Sequence, residues 1–141
     1  MMFNREELIE ITGAIPLKNS ANRIEGFNIS TDTRTIKNGD IYLPLKGATF
    51  DGEMFIDKAL EAGATAYFTT KNEVIEPVDF VLKVENTLDA YLNIAKYYRH
   101  KINPITVAIT GSSGKTTTKE IVYSVLKEKF KTHKTFSNHN N

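Results

Sequence analysis

The sequence predicts an α/β chain in two parts. Residues 1–102 read as a mixed sheet with helices. Residues 103–141 read as the opening strand–loop–helix–strand of a second α/β unit. Three observations carry this expectation. Short apolar or alternating runs of strand length are interleaved with segments of helical period. Asn103-Pro104 interrupts the chain directly after a long amphipathic segment, which places a domain boundary there. Beyond it, the dense apolar run Ile105-Thr106-Val107-Ala108-Ile109 leads into a glycine-rich turn and then a second helical pattern.

Each element has its own local reason. Residues 4–11 are expected to form a short helix. Asn4 is placed to cap it, Glu7 stands three residues on as in a capping box, and Gly13 stops it, with Phe3, Leu8 and Ile11 facing inward. Phe27-Asn28-Ile29-Ser30-Thr31 alternates apolar and polar residues, the pattern of a strand with one wet face. Residues 32–34 leave it as a polar loop. Lys37-Asn38-Gly39-Asp40 is a turn signal, and residues 41–45 form a second strand that Pro44 marks as an edge or a strand end. Residues 55–61 form a helix with Phe55, Ala59 and Ala62 on one side and Gly63 at its end. Residues 65–69 and 80–84 are further strands. Asn86 opens a helix whose inward face is expected at Leu88, Tyr91, Leu92, Ala95 and Tyr98. In the second part, residues 105–109 are expected as a buried parallel strand. The helix over 115–129 is expected to bury Ile121, Val122, Val125 and Leu126, and residues 131–136 are a further strand.

The 141 residues suit one ordinary domain, or a small domain with a piece of another. A hydrophobic fraction of 40% against 25% charged is the balance of a soluble globular chain with a core. The formal net charge of +1 comes without a basic stripe, so no nucleic-acid partner is expected. There is no cysteine, which excludes a disulfide framework or a thiolate-held metal within the chain and fits a reducing, cytoplasmic setting. The opening MMFNREELIE lacks the basic and apolar blocks of a secretory signal. No run approaches the roughly 18 apolar residues of a membrane span, so no membrane partner is expected. His100, His133 and His139 are scattered without ligand spacing.

The motif with the clearest chemistry is Thr110-Gly111-Ser112-Ser113-Gly114-Lys115-Thr116. A strand before it and a helix after it are the context of a phosphate loop. The glycines let successive backbone N–H groups of Gly111, Ser112, Ser113, Gly114, Lys115, Thr116 and Thr117 turn toward phosphate oxygens. The helix N-terminus adds partial positive charge. Lys115 supplies a full charge for β- and γ-phosphates, and Thr116 offers a hydroxyl to Mg²⁺, a hard cation that prefers oxygen. The spacing is the short form Gly-x-x-Gly-Lys-Thr, with Ile109 where the common form has its first glycine. A plain strand-to-helix turn with a surface lysine is the bland alternative, which the strand–loop–helix context and the Gly-Lys-Thr run oppose.

With Thr116-Thr117-Thr118-Lys119-Glu120 behind it, this short loop resembles that of the Mur ligase superfamily. Ser30-Thr31-Asp32-Thr33-Arg34, then Gly39-Asp40-Ile41-Tyr42-Leu43-Pro44-Leu45-Lys46-Gly47, resemble the family's "DSR…GDLFVALKG" signature. Asp51-Gly52-Glu53-Met54-Phe55-Ile56 and Ala59-Leu60-Glu61-Ala62-Gly63-Ala64 resemble its "DGHDFI…A…GA" segment, and Glu85-Asn86-Thr87-Leu88-Asp89-Ala90 its "DTL.AL" helix start. Thr135-Phe136-Ser137-Asn138-His139-Asn140-Asn141 is similar to a T-x-G-N-x-N-N segment of the family's D-alanyl-D-alanine-adding branch. Two residues depart from the pattern: Glu53 stands where His is usual and Ser137 where Gly is usual.

The resemblance implies a peptidoglycan-precursor ligase using ATP and Mg²⁺. ATP would phosphorylate the terminal carboxylate of UDP-MurNAc-tripeptide, and the amine of D-alanyl-D-alanine would attack the acyl phosphate. Residues 1–102 would be the UDP-MurNAc-peptide-binding domain and residues 103–141 the start of the ATP-binding domain. The resemblance makes Lys115 catalytic and Thr116 a metal ligand. It makes Thr31, Thr33, Arg34, Lys46, Gly47, Asp51, Asn138, Asn140 and Asn141 substrate contacts. The carboxylate opposite Thr116, the family's carbamylated lysine and the amine-delivering domain are expected beyond Asn141, so the 141 residues alone are expected to be inactive. A monomer is expected.

Alternatives stand beside several of these roles. Thr33 and Arg34 either meet a phosphate, which an arginine fork suits, or form a surface turn with an exposed ion pair. Lys46, Gly47, Asp51 and Gly52 either line the same pocket or only serve a long loop. Asn138, Asn140 and Asn141 either contact ligand at a strand's carboxyl end or belong to a frayed terminus. At the level of function, the rivals are another Mur-type ligase such as the tripeptide-forming one, a non-catalytic UDP-sugar-binding module, and an unrelated phosphate-loop kinase. The Asn cluster argues against the first of these and the short loop spacing against the last.

Overall fold

The computed structural model describes residues 3–19, 26–47 and 49–135. The chain divides into two compact units, Met1–Asn103 and Pro104–Asn141.

The first unit begins with helix α1 (Arg5–Thr12). Its capping box is formed: Asn4 Oδ1 accepts from the Glu7 amide at 2.7 Å, and the Glu7 carboxylate accepts from the Asn4 amide at 3.0 Å. Leu8 is fully buried, and Phe3 is pinned by paired backbone hydrogen bonds to Phe27. Strand β1 (Ile15–Asn19) follows, an element that the sequence pattern did not reveal. It carries Pro16 and lacks clean alternation. It is the edge strand, antiparallel to β5 with a register shift between Pro16 and Lys18, where a missing N–H is tolerated.

Strands β2 (Ile29–Ser30), β3 (Ile41–Tyr42), β4 (Ala66–Thr69) and β5 (Phe80–Lys83) run parallel, giving the sheet order β1-β5-β4-β3-β2. The mixed sheet is therefore as expected, with shorter ladders than the apolar runs. Strand β3 is interior rather than an edge. Pro44 is tolerated because the pairing has already ended, the last bond running from the Leu43 amide to the Ser30 carbonyl at 2.9 Å.

The strand period of two sorts the core into two layers. Ile41, Leu43, Ala66, Phe68, Phe80 and Leu82 pack with Leu8 of α1 and with Ala90 and Ile94 of helix α3 (Thr87–Ile102). Tyr42, Tyr67 and Val81 point the other way, onto Ile56 and Ala59 of helix α2 (Ile56–Glu61). A single 3-10 turn (Gly52–Phe55) leads into α2. Because α2 proper starts at Ile56, its inner side is Ile56 and Ala59, and Phe55 and Ala62 are not buried as expected.

Helix α3 corrects the sequence reading more sharply. Asn86 caps it as expected, but the buried positions are Thr87, Ala90 and Ile94, with Tyr98 half-buried. Leu88, Tyr91, Leu92 and Ala95 are exposed, Leu92 by 53%. Only three residues separate β5 from α3, so this short tether sets how the helix rolls onto the sheet. The roll presents Thr87, Ala90 and Ile94 to the core instead of the expected stripe.

The second unit holds helix α4 (Lys115–Leu126), and two expectations fail there. Residues 105–109 and 131–135 form no strand. A parallel strand exists only through its ladder, and no described residue supplies one to either segment. Helix α4 buries none of its residues, and the described residues of its own unit form no sheet to cover it. Val122 and Leu126 are half-buried, while Ile121 and Val125 are exposed, Val125 by 65%. Segment 131–135 is instead tied to α4 by its side chains. Lys119 donates to the Thr135 carbonyl at 2.8 Å and Lys134 pairs with Glu120.

Gly52 is the most closely packed of Gly13, Gly39, Gly47, Gly52 and Gly63 in the first unit. Its amide donates to the Leu45 carbonyl and its carbonyl accepts from the Tyr42 hydroxyl, both at 3.0 Å. A Cβ there would lie 2.7 Å from the Leu45 oxygen and 2.8 Å from the Leu45 nitrogen. Gly52→Ala should therefore cost about 1–3 kcal/mol in a urea titration, the scale of overpacking. Gly47→Ala, whose Cβ would find its nearest neighbour at 3.9 Å, should cost far less. Equal midpoints for the two variants would contradict this account of the turn.

Candidate functional site

Parallel pairing brings the carboxyl ends of β2, β3 and β4 to one edge of the sheet, the edge at which α/β folds hold ligands. Strand β2 delivers residues 31–34. Ser30 is buried, and its hydroxyl bonds the Asp32 carbonyl at 2.9 Å and the Thr35 hydroxyl at 3.0 Å, which shapes the turn. Arg34 forks onto Asp32, with Nη2 to Oδ2 at 2.6 Å and Nε to Oδ1 at 2.9 Å and to Oδ2 at 3.1 Å, and the Arg34 amide also donates to Oδ1 at 3.0 Å. The side-chain bond from Arg34, then the backbone bond, holds the Asp32 carboxyl down at about 2. A folded-state value below the ordinary one means that this pairing is complete above the ordinary carboxylate range. It is lost only as the pH falls through about 2. The Arg34 side chain is 84% exposed, and its Nη1 takes part in none of these bonds. Thr31 is exposed and Thr33 half-buried.

Strand β3 delivers residues 43–51. Lys46 and Asp51 face each other across an isolated antiparallel bridge, with Nζ 3.6 Å from Oδ2. The Gly47 amide donates to the Phe50 carbonyl at 2.7 Å and closes the loop. Asp51 also caps the 3-10 turn, its Oδ1 accepting from the Glu53 amide at 3.0 Å. Lys46 and Gly47 are exposed and Asp51 is half-buried. Burial pushes the Tyr42 hydroxyl above its ordinary value, and the charges of Asp32 and Asp51 push it the same way. The two loops leave neighbouring strands of the sheet, and the Tyr42 hydroxyl donates to the Gly52 carbonyl at 3.0 Å.

Sequence reasoning missed four residues at this edge. Tyr42 looked like an ordinary strand residue. Glu53 is buried, at 8% exposure, and binds the end of β4: its Oε2 accepts from Thr69 Oγ1 at 3.1 Å. Its Oε1 accepts from the Thr70 amide at 2.8 Å and the Thr70 hydroxyl at 2.7 Å. Its departure from the family pattern was the one available signal. Phe50 and Phe55 stack beside the loop, with ring centroids 5.4 Å apart.

In the second unit, Gly111 and Gly114 both take positive φ, 150° and 76°, and α4 starts at Lys115. Gly114 is the N-cap and supplies no side-chain acceptor, so the first-turn N–H groups keep their capacity for an external anion. Lys115 folds back over the loop, its Nζ 2.5 Å from the Gly111 carbonyl. Ser112, Ser113, Thr116 and Thr117 are exposed around it. Asn138, Asn140 and Asn141 lie outside the described residues. Among the described residues, no group of three or more His, Asp or Glu side chains is placed to hold a metal ion. No described helix is long and apolar enough to cross a membrane.

Comparison with known proteins gives a consistent picture. The model of the Mur ligase family catalytic domain matches residues 27–117, and that of the Mur ligase middle domain matches residues 109–141. The UDP-N-acetylmuramoyl-tripeptide–D-alanyl-D-alanine ligase of Synechocystis is 44% identical over 115 residues, which are 81% of this chain and 25% of that protein. A crystal structure of MurF from Acinetobacter baumannii superposes with a TM-score of 0.77 at 30% identity, covering 92% of this chain and 28% of that one. The MurF ligase of Thermotoga maritima in complex with ADP gives 0.61 at 37% identity, covering 80% of this chain and 26% of that one. The chain thus spans about a quarter of the length of the relatives it matches. A family model covering most of its length, together with the shared α/β fold, establishes that the chain belongs to the Mur ligase family.

Proposed function

We propose that these 141 residues are the precursor-binding and phosphate-binding part of a ligase that joins D-alanyl-D-alanine to UDP-MurNAc-tripeptide in the cytoplasm. The observation that carries the reading is the second unit's loop. A glycine-capped helix with Lys115 folded over Gly111 stands in a chain whose relatives bear that ligase's name. Residues 1–102 serve as the UDP-MurNAc-peptide domain and residues 103–141 as the start of the ATP-binding domain. The enzyme acts as a monomer.

The loop's donor set fits a nucleotide's phosphates: uncapped N–H groups, one full positive charge and a hydroxyl in the first turn. ATP supplies the γ-phosphoryl group that activates the precursor's terminal carboxylate. Gly111, Ser112, Ser113, Gly114 and Thr117 hold the phosphates through backbone N–H groups. Lys115 neutralises charge on the β- and γ-phosphates, and Thr116 offers its hydroxyl to Mg²⁺. Attack by the amine of D-alanyl-D-alanine forms the amide and releases phosphate. Electrophile and nucleophile are both substrates, so the protein's task is positioning and charge stabilisation. At the sheet edge, Thr31, Thr33, Arg34, Lys46, Gly47 and Asp51 hold the UDP-linked precursor. Arg34 meets a phosphate with the part of its guanidinium that Asp32 leaves over. Asn138, Asn140 and Asn141 contact substrate or nucleotide.

Precursor binding should not require ATP. Titration calorimetry of the chain with UDP-MurNAc-tripeptide should give a saturable heat, and Arg34→Ala should weaken it on the order of tenfold, the scale of one charge-assisted contact. Heat equal to a buffer blank, from protein shown to be folded, would contradict the reading.

Ligation needs a metal held from a second side and an acceptor held in line, parts that the family resemblance implies lie beyond Asn141. The 141 residues alone should therefore release no phosphate from ATP with Mg²⁺, UDP-MurNAc-tripeptide and D-alanyl-D-alanine. In the ligase read through to its relatives' length, Lys115→Ala should lower turnover by on the order of 10²-fold or more while leaving precursor affinity intact. Substrate-dependent release by the short chain, or near-normal turnover in that variant, would show that the loop has been misassigned.

A further inference from the structure

The Glu53 carboxyl group is buried in the 3-10 turn that leads into α2. Burying such a group is costly unless its oxygens are satisfied, and here both are. The partners are specific in place. Thr69 is the last residue of β4 and Thr70 the first beyond it, 16 and 17 residues along the chain from Glu53. Glu53 therefore joins the excursion after β3 to the exit of β4, across the edge where the precursor site is proposed. The Thr69 hydroxyl that donates to Glu53 also accepts from the Lys71 amide at 3.0 Å, so the same bond network shapes the chain leaving β4.

The neighbouring residues convert that anchor into control of the loop. Asp51 pairs with Lys46 and caps the turn that carries Glu53. Gly52 is clamped between the Leu45 backbone and the Tyr42 hydroxyl. Three consecutive residues, 51, 52 and 53, thus tie the base of the 46–51 loop to β3 and β4. With Glu53 removed, the Tyr42 and Leu45 contacts still hold Gly52, and Ile56 still packs on Tyr67, but the hydrogen bonds from the turn to the end of β4 at Thr69 and Thr70 are lost.

We propose that Glu53 is a positioning residue for the precursor site: its bonds to Thr69 and Thr70 hold the Lys46–Asp51 loop in the geometry that receives the UDP-linked substrate. The proposal rests on the substrate reading above. It predicts an affinity effect separable from stability, because a merely structural glutamate would lower the melting temperature without changing affinity in the folded protein.

The test is calorimetry of the chain with UDP-MurNAc-tripeptide, at a temperature where a thermal melt shows each variant folded. Glu53→Ala should weaken binding on the order of tenfold. Glu53→Gln keeps one carbonyl oxygen for the two Thr70 donors and should recover most of the loss. Thr70→Val, which removes one donor and leaves the carboxylate in place, should weaken binding by about two- to fivefold and serves as the deciding variant if Glu53→Ala does not fold. Wild-type affinity in folded Glu53→Ala overturns the proposal, as does wild-type affinity in Thr70→Val. If the unsubstituted chain itself gives no binding heat, the substrate reading falls and the positioning role with it. Binding by the unsubstituted chain with no effect of either substitution removes the positioning role alone.

Discussion

Parallel pairing of β2, β3 and β4 is the constraint on which the first unit depends. Parallel neighbours cannot be joined by tight hairpins, so each strand must exit at the same edge and return over a face of the sheet. In this chain the exits carry the polar residues: Asp32 and Arg34 after β2, Lys46 and Asp51 after β3, and Thr70 after β4. The helices carry the apolar ones: α2, on the return from β3 to β4, covers one face, and α1 and α3, before β1 and after β5, cover the other. Tyr42 links the two tasks. Its ring is core, and its hydroxyl reaches the edge and holds the Gly52 carbonyl.

Much of this was legible because the signals are local. A capping box at Asn4 and Glu7, a turn at residues 37–40 and a cap at Asn86 are decided within four residues, and each appears where the sequence put it. The strands of the parallel sheet were legible as apolar runs, though their ladders are shorter. What was not legible depends on distant partners. Strand β1 exists because β5 offers it an edge, and neither Pro16 nor Lys18 announces that. The buried side of α3 is Thr87, Ala90 and Ile94, so the helical spacing of Leu88, Tyr91, Leu92 and Ala95 pointed to a neighbouring face of the same helix. Glu53 shows the same limit at the proposed site. Its partners lie beyond α2 in the chain, and only its departure from the family's pattern set it apart.

The second unit divides differently. Its loop is a local motif, and the positive φ values at Gly111 and Gly114, the start of α4 and the folded Lys115 follow from a few adjacent residues. Its expected strands needed hydrogen-bonding neighbours that no described residue supplies, and without them residues 105–109 and 131–135 form no ladder and α4 buries nothing. A helix can satisfy its backbone alone, whereas a strand cannot. That difference explains why α4 forms over most of its expected span and the flanking strands do not.

The central claim is that the shared carboxyl edge of β2, β3 and β4 is where the first unit receives the UDP-linked precursor. Amide chemical shifts of the isotopically labelled chain, followed while UDP-MurNAc-tripeptide is added without ATP, test it most directly. The account predicts that the largest changes fall on residues 31–34, 46–47, 49–53 and 70. Changes confined to α1, β1 or the second unit would contradict it.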